Sequence, residues 1–82
     1  MKTLCIYAYP AQLIKIQLVV DDSITAEEHC AFNTATKAIT EYAVNENIEK
    51  IIVIGHKLFA EKIANTIDQQ FNIPVERLYE ND

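Results

Sequence analysis

Leu18-Val19-Val20-Asp21-Asp22-Ser23-Ile24-Thr25-Ala26-Glu27-Glu28 is the stretch on which the fold turns. It opens as a strand and must then decide between a second strand and a helix. Two aspartates and a serine end the apolar run. Thr25 followed three residues later by Glu28 has the spacing of a capping box, in which each side chain satisfies a free backbone N–H at a helix start. The expectation is therefore a helix from about Ala26 to Asn45. Its apolar stripe is Ala31, Phe32, Ala35, Ala38, Ile39 and Tyr42 at helical spacing. His29, Asn33, Thr36 and Thr40 lie opposite, and Asn45-Glu46-Asn47 closes it.

Upstream, the periodicity changes to two. Lys2–Tyr9 reads as a first strand, with Leu4, Ile6 and Ala8 on one face and Cys5, Tyr7 and Tyr9 on the other. Pro10-Ala11-Gln12 is a turn, because proline cannot donate to a ladder. Leu13–Val20 is a second strand, whose Ile14, Ile16, Leu18 and Val20 share one apolar face. The short link predicts an antiparallel hairpin.

Downstream, Lys50–Ile54 is a third strand, and its unbroken Ile51-Ile52-Val53-Ile54 predicts burial on both faces. Gly55-His56-Lys57 turns into a second helix, about Leu58–Phe71, with Ala60, Ile63, Ala64, Ile67 and Phe71 as its core stripe. Asn72 and Pro74 stop that helix. Val75–Tyr79 is a fourth strand, and Glu80-Asn81-Asp82 an acidic end. The expected fold is a single α/β domain over residues 1–82 in the order β-β-α-β-α-β. Its mixed sheet has four strands, the second to fourth parallel and the first antiparallel to them. Right-handed crossovers would then bring three segments to one carboxyl rim, where open α/β sheets bind ligands. They are Asp21-Asp22-Ser23, Gly55-His56-Lys57 and Tyr79-Glu80-Asn81-Asp82.

Composition bounds the function. The 82 residues carry 12 acidic and 7 basic side chains, for a net charge of −5, and half are hydrophobic. That composition excludes disorder. No apolar run approaches the ~18 residues of a membrane span. The opening residues read as a strand and not as a signal peptide, so a cytoplasmic protein is expected. Scattered basic residues on an acidic chain argue against direct nucleic-acid binding. A chain this short buries a limited core, which favours self-association.

Leu18-Val19-Val20-Asp21-Asp22-Ser23-Ile24-Thr25 resembles the start of response-regulator receiver domains, in which an acidic pair after the first strand helps hold magnesium. The resemblance implies that Asp21 and Asp22 are metal-holding carboxylates. It covers only Leu18 to about Ala26. No later apolar strand ends in a phosphate-accepting aspartate, and the late Lys and Ser/Thr strands of that family are absent. The simpler reading is negative charge placed before a helix N-terminus, a favourable arrangement.

Three other constellations stand out among the residues. Gly55, His56 and Lys57 at a helix start would suit an anion, with Glu80 and the two aspartates available to a hard cation. His29 and Cys30 diverge on a helix and cannot chelate one ion together. Should both helices cover one sheet face, Cys5, Tyr7, Tyr9, Leu13, Val19 and half of the third strand would form an exposed apolar patch. The sequence thus leads to a small acidic protein-interaction module of adaptor or inhibitor type, a homodimer, with a basic protein partner and no cofactor. The alternative is a magnesium- or phosphate-ligand site on the rim made of Asp21, Asp22, Gly55, His56, Lys57 and Glu80.

Overall fold

The computed structural model describes residues 1–80. The elements run β1 (Lys2–Ala8), β2 (Ile14–Val20), β3 (Ser23–Cys30), α1 (Phe32–Asn45), β4 (Lys50–His56), α2 (Lys57–Gln70) and β5 (Val75–Glu80). The chain is thus a small α/β fold with two helices and a mixed sheet. The sheet has five strands in the order β3-β2-β1-β4-β5.

The extra strand is the segment expected to begin the first helix. Ser23–Cys30 pairs antiparallel with β2, from Val20 opposite Ser23 to Ile14 opposite Cys30. Asp21 and Asp22 form the two-residue link, with φ of 49° and 69°. Positive φ at both positions is the type I′ pattern that matches the twist of a hairpin, and aspartate tolerates it better than most residues. Thr25 is the extra residue of a bulge between the pairs Leu18–Ala26 and Val19–Ile24. Its hydroxyl donates to the Leu18 carbonyl at 3.3 Å rather than capping a helix. The helix starts later, at Phe32, after an Ala31 that supplies no side-chain cap. It ends as expected, with Asn47 at φ 53° just beyond the last turn.

Strand directions also differ from the expectation. β1 is parallel to β4, β4 is parallel to β5, and β2 is the strand that runs against them. The extension of the sheet by the eight-residue β3 is the cause. With β3 returning outside β2 in the direction of β1, the crossover into β4 starts from β3 and not from β2. Two same-handed crossovers, β3 to β4 and β4 to β5, step across the sheet in one direction and lay both helices on the same face.

The core confirms that arrangement. Leu4, Ile6, Ile14, Ile16, Ile51 and Val53 project from the sheet to meet Ala35 and Ile39 of α1 and Ala60, Ile63, Ala64 and Ile67 of α2. All are buried and form one cluster. Ile51 and Val53 are fully covered, whereas Ile52 and Ile54 are only half-buried. The unbroken apolar run of β4 is therefore not a strand covered on both faces. Its alternate residues line a face that no helix among the described residues covers. Gly55 closes this strand against β1: its φ is 147°, and a Cβ there would stand 1.9 Å from the Ala8 carbonyl oxygen.

Candidate functional site

The residues expected on one rim are divided between two ends of the sheet. The register sets Lys2 opposite Val20 and Tyr7 opposite Lys15, so the β2–β3 link sits beside the start of β1. Asp21 accepts an ion pair from the Met1 ammonium at 2.6 Å. Each partner stabilises the other's charged form, which lowers the Asp21 pKa and raises that of the amine. His56 and Glu80 are paired across β4 and β5 at the other end of the sheet. A strand of seven residues separates these ends by roughly 20 Å. Asp21 and Asp22 therefore cannot share a cation with Glu80. The receiver-like arrangement fails on the same ground, because here the aspartates make a hairpin turn. Among the described residues, no three His, Cys, Asp or Glu side chains cluster closely enough to hold a metal ion.

The carboxyl rim itself retains Gly55, His56, Lys57 and Glu80. Gly55 and His56 are the last residues of β4, and His56 is also the residue preceding α2. Tyr9, which follows β1, joins them: its hydroxyl donates to Glu80 Oε1 at 3.4 Å. Burial and the Glu80 carboxylate together raise the Tyr9 pKa. Behind this row stand three apolar side chains that the sequence reading left in helix stripes or passed over. Phe32 at the start of α1 and Phe59 in the first turn of α2 meet edge-to-face at 5.9 Å, and Leu58 beside them is exposed. Asn81 and Asp82, expected to complete the rim, lie outside the described residues.

The second candidate surface is the uncovered sheet face. Strand alternation places Cys5 and Tyr7 of β1, Ile52 and Ile54 of β4 and Leu78 of β5 side by side there. Cys5, Tyr7, Ile52 and Ile54 are half-buried, and Leu78 is 49% exposed. Of the expected interface residues, Cys5, Tyr7 and Val19 fall on this side, while Tyr9 and Leu13 belong to the connection between β1 and β2, with Leu13 at 59% exposure. The face also carries polar groups that a helical reading of residues 26–30 had dispersed. Gln17 donates to Glu27 Oε1 at 2.8 Å, and His29 Nε2 lies 3.0 Å from Glu27 Oε2. These contacts lower the Glu27 pKa.

Where the face meets the β1–β2 turn, a shallow open depression of about 420 Å³ is lined by Tyr7, Tyr9, Gln12, Leu13, Lys15 and His29. The Lys15 ammonium lies over the Tyr7 ring, 4.3 Å from its centroid, a cation–π geometry. The depression sets the Tyr7 and Tyr9 rings beside one cation, Lys15. Alternation hints at Tyr7 and Lys15, but His29 reaches the depression only because β3 is a strand.

The cysteines are separated by the sheet. Cys5 lies on the uncovered face, and Cys30, opposite Ile14, on the helix-covered face. They cannot form a bridge with each other. Burial raises both thiol pKa values, which keeps the nucleophilic thiolate scarce at neutral pH. No helix among the described residues is long and apolar enough to cross a membrane. No protein-family model matches the chain, and no curated protein matches it significantly.

Proposed function

We propose that the chain is a small acidic protein-interaction module, of adaptor or inhibitor type, that docks a protein partner on its uncovered sheet face. One observation carries this reading. Both helices pack on the same side, leaving Cys5, Tyr7, Ile52, Ile54 and Leu78 as a contiguous apolar strip with no cover of its own. Such strips on small proteins usually serve contacts, and tyrosine, apolar with a polar tip, suits them. The net charge of −5 favours a basic partner by steering the encounter.

A second reading keeps Gly55, His56, Lys57 and Glu80 as an anion-binding rim. It is favoured by the first N–H groups of α2, which receive no side-chain cap from His56. The aspartates play no part in it.

Selection of peptide binders from a displayed library separates the two readings. Binders should be lost with Ile54→Lys, on the strip, and retained with Val44→Lys, on the outer face of α1 where Val44 is 70% exposed. Equal retention by both variants would reject the strip. Titration with inorganic phosphate that shifts the Gly55–Lys57 amides to saturation would favour the rim instead.

A further inference from the structure

Among the described residues the sheet has two free edges, and they differ. The outer strand β3 carries Glu27, Glu28 and His29 in succession and is bent by the bulge at Thr25. Charges and bulges are the means by which edges resist pairing. The opposite edge, β5, carries Glu76, Arg77 and Glu80 but has no bulge. It reads Val75-Glu76-Arg77-Leu78-Tyr79-Glu80. Its one cation is turned back onto α2, where Arg77 donates to Asn65 Oδ1 at 3.2 Å and stands 3.5 Å from Asp68 Oδ2.

The free hydrogen-bonding groups of that edge can be located. The Ile51 amide donates to the Pro74 carbonyl at 2.9 Å, so the backbone groups of Pro74 face β4. Strand alternation then turns those of Val75, Arg77 and Tyr79 outward. We propose that β5 pairs antiparallel with β5 of a second copy about a two-fold axis through Leu78, fusing two sheets into one.

The register is self-complementary. Arg77 falls opposite Tyr79 of the second copy, and the reverse, and each pair exchanges both of its outward N–H···O bonds. Leu78 on the axis meets Leu78 of the second copy as a close, non-hydrogen-bonded pair on the uncovered face. On the helix face, burial raises the Tyr79 pKa and the Glu61 carboxylate of α2 adds to it, against the lowering effect of Arg77. Pairing therefore brings Glu61 of the second copy toward Arg77. Glu76 faces Glu80 of the second copy, a repulsion offset by Lys50, whose Nζ is 2.7 Å from Glu76 Oε1. Moving the axis to Arg77 would set two guanidinium groups face to face. The helices fit as well: α2 lies over β4 and β5, so strands ~4.8 Å apart bring the two α2 axes to about 10 Å, near the normal helix-packing distance.

Pairing doubles the apolar strip, because Leu78, Ile54 and Tyr7 continue into their counterparts. In that respect the inference deepens the docking reading and rests on the same face, though the pairing itself stands on β5 alone. Sedimentation and amide hydrogen exchange test it on the whole chain. The wild type should sediment as a dimer, with the Arg77 and Tyr79 amides protected and that protection lost on dilution. Arg77→Pro should be monomeric yet folded, since an edge strand accepts proline where the N–H points outward. Leu78→Lys should also be monomeric, and it decides the matter if the proline variant does not fold. Ile54→Lys should abolish binder docking with the mass unchanged, which separates the two readings. A wild type that stays monomeric at millimolar concentration, or a dimer whose Arg77 and Tyr79 amides exchange freely, would overturn the proposal.

Discussion

Gly55 is the residue on which the rim depends. Its φ of 147° is a conformation that side chains rarely adopt, and the Ala8 carbonyl oxygen occupies the space where a Cβ would go. Gly55→Ala must therefore push β4 away from β1 at the point where His56 and Tyr9 are held. Urea unfolding should show a loss of at least about 2–3 kcal/mol, from backbone strain added to broken pairing. A loss under about 0.5 kcal/mol, the range of an ordinary surface change, would contradict this placement. A glycine at a strand end is legible in the sequence, and a turn alone accounts for it at that level. The close approach to Ala8 depends on β1 and β4 being neighbours, which no local pattern states. Asp21 and Asp22 were misplaced for a similar reason. A charged pair after an apolar run is equally suited to precede a helix or to turn a hairpin, and only the partner strand decides.

At the scale of elements, β1, β2, β4, α2 and β5 were legible because their periodicity is strong. Ile14, Ile16 and Leu18 alternate without interruption, and Ala60, Ile63, Ala64 and Ile67 recur at helical spacing. β3 was not legible. Ala26, Glu27 and Glu28 favour helix, and Thr25 with Glu28 imitates a cap. What stabilises the strand is non-local: pairing with the edge of β2 and the bond from Gln17 to Glu27. The consequence appears at the true start of α1, where Ala31 has an extended backbone and no capping side chain. Ala31→Asp should satisfy an orphan N–H of the first turn and place a negative charge at the positive end of the helix. The expected gain is about 1 kcal/mol, read as a higher urea midpoint with an unchanged slope. No gain, or a loss, would show that the helix does not begin at Phe32.

For the whole molecule, strand order determines which residues can act together. The extra strand reversed the assignment of β2 and divided the six expected rim residues, leaving Gly55, His56, Lys57 and Glu80 together and sending Asp21 and Asp22 to the far end. It also settled the question that sequence left open, whether the helices share a face. Of the expected patch, Cys5, Tyr7 and Val19 lie on the bare side, because alternation along β1 and β2 is a local property that survives an error in strand count, while Tyr9 and Leu13 belong to the connection between those strands. Ile54 and Leu78 join it through pairing, and His29 through β3.

Methyl NMR with a soluble paramagnetic probe, applied to the monomeric Arg77→Pro chain with and without a selected binder, tests the bare face most directly. Without binder, the Ile52, Ile54 and Leu78 methyls should relax much faster than those of Ile51, Val53 and Ile67, and binder should remove that difference. Ile54 and Leu78 methyls as protected as Ile51 in the free chain, or still exposed in the complex, would contradict the account.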